Sequence, residues 1–409
     1  MKSSTAALPD TVTDRPQGTP GEVFLTFLKL GLTSFGGPIA HLGYFRNELV
    51  TRRNWINEEG YADLVTLCQF LPGPASSQVG FALGLLRGGF RGAVAAWAGF
   101  TLPSALLLVA FAMAATAFGG PVGNGLLHGL KIVAVAVVAQ AVWGMARNLA
   151  PDKERASIAL AAVLIVVFVS SAFGQIVAIM AGALMGMLFC RGEISSDSHH
   201  FSFGVPRWIG VSCLLIFFGL LGLLPLAVNI IGSQGISLFD AFYRSGALVF
   251  GGGHVVLPLL KAEAVNTGWV NADTFLAGYG AAQAVPGPLF TFAAYLGTVM
   301  GPSPNGVAGA AIALVGIFLP GLLLLIGTLP FWDDFRRHSL AQAALRGASA
   351  AVVGILGAAL YDPVWTSAIL RSYDFALALI GFVLLAAWRA PPWVVVLMMG
   401  AGGIGLSFI

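Results

Sequence analysis

The sequence predicts an all-α polytopic membrane protein made of two inverted-topology repeats with broken, re-entrant helices. Three observations predict it. First, the chain of 409 residues is 57% hydrophobic and only 10% charged, with a mean hydropathy of +0.86. Soluble domains carry about 25% charged residues. Second, the chain repeats itself. Gly31, Phe35, Gly36, Gly37 and Glu48 match Gly246, Phe250, Gly251, Gly252 and Glu263 at an offset of 215. At an offset of 214, Trp55, Asn57, Gln69, Pro72, Gly73 and Pro74 match Trp269, Asn271, Gln283, Pro286, Gly287 and Pro288. Third, basic residues fall on opposite ends of equivalent segments. Such charge asymmetry orients membrane proteins, so the two units face opposite ways.

Residues 1–21 are Pro/Gly-rich and lack the apolar core of a signal peptide. They read as a short disordered cytoplasmic tail. Thr19-Pro20-Gly21-Glu22 has capping-box spacing with proline at the first helical position, so a helix starts near Glu22. It reaches Phe35 after about 20 Å, at ~1.5 Å per residue, where a bilayer core needs ~30 Å. Phe35-Gly36-Gly37-Pro38 breaks it, and the next piece ends in the polar run 46–53. Residues 61–71 and 75–86 repeat this layout around Pro72-Gly73-Pro74. Lengths of this kind fit two re-entrant hairpins, with proline-kinked full spans as the alternative. Irregular backbone at membrane depth is tolerated only inside protein or beside a water-filled cavity.

Longer apolar runs at 93–118, 125–146, 156–173 and 174–190 complete a first repeat over 22–190. A polar linker and one connecting span occupy 191–237, and the second repeat fills 238–409. There the breaks fall at 250–253 and 286–288, and the long runs at 307–330, 341–361, 374–389 and 392–409. Gly89, Gly92, Gly99 and Pro103 pair with Gly306, Gly309, Gly316 and Pro320 at an offset of 217, so the match extends past the hairpins.

In the first unit basic residues cluster at 46–53, 87–91, 147–155 and 191. In the second they move to Arg336, Arg337 and Arg346. The count places the N-terminus in the cytoplasm and the C-terminus outside, the inverted-repeat layout of secondary transporters.

The breaks are the candidate site. Pro74 suits the first turn of a helix, leaving the amides of Ala75, Ser76 and Ser77 free at the positive end of its dipole. Pro288 does the same for Leu289, Phe290 and Thr291. Gly36, Gly37, Gly251 and Gly252 let backbone approach a ligand, and Gly73 and Gly287 form the turns of the Pro-Gly-Pro knots. Gln69 and Gln283 add neutral hydrogen-bonding groups, and Ser76, Ser77 and Thr291 add hydroxyls. Amides and hydroxyls at helix ends suit a tetrahedral dianion. The competing reading is that the knots only kink helices while Ser77 and Thr291 bond their own backbone.

Lys29 and Arg244 are equivalent cations within apolar segments, and intramembrane cations are costly and functional by default. They are expected to wall one anion site from opposite units; the alternative is snorkelling to the interface. Glu48 and Glu263 are candidates for carrying a coupling proton, or else pair at the rim with Arg46 and Lys261. His41 and His254 are not aligned with each other and are read as facing the cavity. Metal binding, and any cofactor, is not expected. Trp55 and Trp269 read as interface anchors, Asn57 and Asn271 as helix N-caps. Cys68, Cys190 and Cys213 lie in apolar runs without paired spacing and are assigned to packing.

The doubled FGG knot, with FGGP in the first unit, the acidic residue after it, the W-x-N and the PGP together resemble the chromate ion transporter family, long-chain type. The resemblance covers the chain from about Phe24 onward. It implies a bacterial inner-membrane protein that exports chromate, with sulfate as the natural look-alike and membrane lipid as its surroundings. A sulfate or related oxyanion importer on the same scaffold is the alternative. A homodimer is an open expectation. The absence of a Walker A motif implies energy from a gradient. A net charge of +3 is too small and scattered to imply nucleic acid. A membrane-embedded enzyme would need a nucleophile or metal cluster at depth, which the spans do not offer, and a passive channel is the remaining reading.

Overall fold

The computed structural model describes residues 18–115, 120–169, 172–190, 204–332 and 338–408. The tail, most of the polar linker, and Arg191, Arg336 and Arg337 lie outside the described residues. Among the described residues every regular element is helical.

Each repeat begins with short helices. In the first, α1 (Pro20–Thr33) starts where Thr19 Oγ1 accepts the Glu22 amide at 3.1 Å, with proline in its first turn. It stops at Gly36 and Gly37, whose φ of +100° and +81° only glycine adopts readily. α2 (Gly37–Phe45) runs into a π-helical turn at Arg46–Arg52. α3 (Glu58–Phe70) is capped by Asn57, which accepts the Gly60 amide. The Pro-Gly-Pro knot then leads into α4 (Ala75–Ala115), which bends at Gly88 and Gly89 into an inner and an outer half. α5 (Gly120–Leu149), α6 (Lys153–Phe168) and α7 (Ala172–Phe189) complete the repeat.

α8 (Arg207–Ile231) connects the units; it buries Gly210 and Phe217 and leaves most of its other apolar side chains uncovered, so it lies at the periphery. The second repeat follows the same plan. α9 (Gln234–Ala247) breaks at Gly251 and Gly252, and α10 (Val256–Leu260) enters a π turn at Lys261–Val265. The two π turns thus begin at equivalent residues, Arg46 and Lys261, and such turns recur at functional sites. α11 (Ala272–Ala282) is capped by Asn271, which accepts the Thr274 amide. Its knot opens through a single 3₁₀ turn at Leu289–Thr291 into α12 (Phe292–Val299). α13 (Gly306–Thr328), α14 (Ser339–Ala359), α15 (Ser372–Ala386) and α16 (Pro392–Leu406) follow.

The expected N-caps are thus present in both units. Two expectations differ. Trp55 is buried beneath the guanidinium groups of Arg53 and Arg87 instead of anchoring at an interface, because the two cations close over its ring. The runs at 156–173, 174–190, 374–389 and 392–409 form helices of 15 to 18 residues. At ~1.5 Å per residue these reach only about 22–27 Å.

The terminal hairpins are exchanged between repeats. Helices α6 and α7 of the first repeat pack on α14 of the second, and α15 and α16 of the second pack on α5 of the first. Small residues permit it. A Cβ at Gly186 would sit 2.7 Å from Gly347 Cα, and one at Gly125 would sit 2.8 Å from Ile404 Cα. Without water to expel between helices, such close backbone approach is what holds membrane helices together.

Candidate functional site

The two kinds of knot meet across the repeats. The Gly73 amide donates to Val249 O at 2.7 Å, and the Gly287 amide donates to Ser34 O at 2.9 Å. Gly73 and Gly287 are equivalent, and so are Ser34 and Val249. Each Pro-Gly-Pro knot therefore docks on the residue just before the Phe-Gly-Gly break of the other unit. The packing is reciprocal as well. A Cβ on Gly73 would lie 3.0 Å from Gly321 Cα, and one on Gly287 would lie 2.9 Å from Ser104 Oγ. Gly321 and Ser104 follow the equivalent prolines Pro320 and Pro103. Gln78 reinforces one side, donating from Nε2 to Pro72 O at 3.0 Å and to Gly321 O at 2.9 Å.

The six knot glycines fall into three equivalent pairs. Gly73 and Gly287, at φ of +122° and +102°, serve the turn and the contact between repeats. Gly37 and Gly252, also equivalent, have φ of +81° and +143° with nothing within 4 Å of a built Cβ. Their backbone borders open space, as close approach to a ligand requires. Gly36 nearly touches Ala40, and Gly251 meets the side chain of Leu149.

Polar groups without partners surround these knots. Ser34 Oγ, Ser77 Oγ and Thr101 Oγ1 are buried with no hydrogen-bond partner, while His41 lies beside the Ser34 backbone and Gln283 beside the Tyr279 hydroxyl. Each can donate, and each unpaired buried group costs about 1–3 kcal/mol. An oxyanion, which only accepts, would satisfy them. The groups connect through contacts. His41 Nδ1 lies 3.3 Å from Ser76 Oγ, its ring packs edge-on against Phe100, and Phe100 O borders Gly287. The first intrahelical bond of α4 runs from the Gln78 amide to Pro74 O, so the amides of Ala75, Ser76 and Ser77 precede it.

The second knot differs in detail. Thr291 bonds its own turn, with both Oγ1 and the amide donating to Pro288 O. His254 Nδ1 lies 2.7 Å from the Tyr279 hydroxyl. Gln69 is exposed, whereas its equivalent Gln283 is half-buried. The whole of α11 after its first turns is buried, whereas α3 exposes residues along its length. Equivalent sequences thus sit in different surroundings.

The equivalent charges pair within their own repeats. Lys29 Nζ lies 3.2 Å from Glu48, and Arg244 Nη2 lies 3.1 Å from Glu263. Rim pairing of the glutamates with Arg46 and Lys261 is not what forms. Arg46 pairs with Glu58 and Lys261 with Asp362, because the π turns rotate the glutamates inward toward α1 and α9. Sequence reading did not single out Ser34, Ser104, Gln78, Thr101, Val249 or Gly321. Ser104 and Gly321 were findable, lying one residue after prolines that align.

Two repeats, broken at the same two places and each closed by the other's knot, make a polytopic all-α membrane protein. The chain belongs to the chromate transporter family, which matches residues 21–187 and 236–406, one match per repeat. It is 28% identical over 401 residues to a chromate transport protein of Pseudomonas aeruginosa, covering 94% of this chain and 91% of that one. A probable chromate transport protein of Synechococcus elongatus is also 28% identical, covering 89% and 88%. A chromate transport protein of Cupriavidus metallidurans is 27% identical, covering 83% and 82%. No solved structure matches the chain.

Proposed function

We propose that the protein is a secondary transporter that exports chromate across the bacterial inner membrane by alternating access, and that it is not an enzyme. The observation that carries this is the reciprocal docking of the knots, together with the family's curated chromate transport proteins. Gly37 and Gly252 supply approachable backbone, and the amides and hydroxyls at Ser76 and Ser77 supply donors to the dianion. His41, Ser34, Thr101 and Gln283 add further donors from both units. Lys29 and Arg244, each held by its glutamate, set the charge at the two approaches.

The unlike surroundings of α3 and α11 support a state in which one unit's hairpin is open and the other's is closed. Exchange of those two states would carry the anion across. The experiment is uptake of labelled chromate into everted membrane vesicles, with labelled sulfate in parallel. Saturable chromate accumulation under an imposed gradient is expected. Accumulation of sulfate alone would turn the reading to the sulfate carrier, and accumulation of neither would remove it.

A further inference from the structure

We infer that Asp240 and Glu263, sharing the single cation Arg244, form a proton-binding pair that couples transport to the proton gradient. The inference rests on the transporter reading above. Arg244 reaches Asp240 Oδ2 at 3.0 Å and Glu263 Oε2 at 3.1 Å. Both carboxylates are withdrawn from solvent, with side chains 5% and 12% exposed, and Asp240 Oδ1 is buried without a partner. Two buried carboxylates against one guanidinium leave one negative charge uncompensated in a low dielectric, which is costly. One proton shared by the pair removes it, as in coupled carboxylate dyads.

A second observation points to the same place. A cavity of about 10 Å³ is lined by Arg244, Ser245, Glu263 and Gln175. Gln175 donates through Nε2 to Pro258 O, leaving Oε1 buried as an acceptor with no donor. Ser245 Oγ is likewise buried and unpartnered. A neutral carboxyl carries the O–H that Gln175 Oε1 lacks; an ionised one does not. The cavity is at the lower limit of the size that holds one water molecule.

No other cation contests the pair among the described residues. The helices packed on α9 contribute no acid or base beyond Arg207 and Cys213 of α8, since α10 and α13 contain none. The π turn adds only Lys261, held by Asp362 at 3.0 Å. On α11, Asp273 is held by Lys131 and Tyr279 by His254. Tyr243 donates its hydroxyl to Phe217 O.

The first repeat shows the contrast. There Glu48 is ringed by Lys29, Arg52 and Arg53 at 2.9 to 3.2 Å. Position 25, equivalent to Asp240, is leucine, while Arg52 and Arg53 correspond to Thr267 and Gly268. Three cations around one carboxylate keep it ionised, so Glu48 is a counter-ion and carries no exchangeable proton. In the cycle, one proton from the aqueous phase on one side adds to a carboxylate oxygen of the Asp240–Glu263 pair. Arg244 stays on the remaining carboxylate, and the same proton leaves to the opposite aqueous phase. Nothing is oxidised or reduced.

The test uses the purified full chain in proteoliposomes, with two readouts: chromate counterflow without any gradient, and chromate accumulation driven by a pH difference, with a pH dye reporting proton movement. Asp240→Asn should retain counterflow while losing both pH-driven accumulation and proton movement, and Glu263→Gln should lose proton movement. Variants that keep both would overturn the inference, as would wild-type accumulation driven by sodium and not by protons. Glu263→Asp retains the proton-binding group and should keep coupling with a displaced pH profile. It decides the matter should the amide variants fail to insert, an unmoved profile counting against the pair. Absence of counterflow in the wild type would instead sink the transporter reading itself.

Discussion

Alanine at Gly73 tests the docked knots with a single methyl group. At φ of +122° an L-residue is strained, at a cost of about 1–3 kcal/mol. The new Cβ would sit 3.0 Å from Gly321 Cα, which is backbone and cannot swing away, and 3.0 Å from Gln78 Nε2. Overpacking of this kind costs about 1–3 kcal/mol. Separating the units relieves it only by giving up the 2.7 Å bond from the Gly73 amide to Val249 O. The overpacking alone therefore lowers the docked population by roughly one to two decades at ~1.4 kcal/mol per decade. Gly37→Ala carries the backbone strain alone, since nothing lies within 4 Å. The assay is initial chromate uptake into everted vesicles, normalised to protein in the membrane. Gly73→Ala, like Gly287→Ala, should lose uptake while Gly37→Ala retains a measurable part. Wild-type uptake by Gly73→Ala would refute the idea that docking between repeats is needed.

The two equivalent cations should respond differently to neutralisation. Arg244→Gln strands two buried carboxylates, a loss of about 3–5 kcal/mol, and should lower the yield of monodisperse protein after solubilisation. Lys29→Gln removes a half-exposed partner worth about 0–1 kcal/mol and leaves Glu48 with Arg52 and Arg53, so its yield should hold; equal yields would contradict the charge count. Reporters fused after Arg91 and inserted at Ser303 should read cytoplasmic and external, and the same side for both would contradict inversion. With the native cysteines replaced, cysteine at Gln69 should react with an impermeant thiol reagent when cysteine at Gln283 is protected. Conditions that reverse the gradient should exchange the two, whereas reactivity that rises and falls together would speak against alternation.

Much of the fold was legible because broken helices leave durable marks. Glycine at positive φ and proline at a first turn cannot be replaced cheaply, so the FGG and PGP knots stand out twice, at offsets of 215 and 214. Asn57 and Asn271 were readable as caps for a similar local reason. What was not legible is contact between distant segments. The bonds from Gly73 to Val249 and from Gly287 to Ser34 use backbone atoms, which every residue carries. The exchange of terminal hairpins depends on where small residues face, and glycine is too common here to show it. The glutamates illustrate the limit of spacing rules. Arg46 lies two residues before Glu48 and invited pairing, yet the π turn carries Glu48 toward Lys29 on α1. Asp240 was visible at four residues before Arg244, a helical pairing distance, but its meaning needed Glu263 beside it.

The central claim is that one site, shared by two repeats, carries chromate by exposing itself to each side in turn. Counterflow tests it most directly. Proteoliposomes holding the purified protein are loaded with unlabelled chromate and diluted into a trace of labelled chromate, with no pH or electrical gradient. A carrier of this kind should give a transient overshoot of label inside, abolished by Gly73→Ala. A monotonic approach to equilibrium, or no entry above protein-free liposomes, would contradict it.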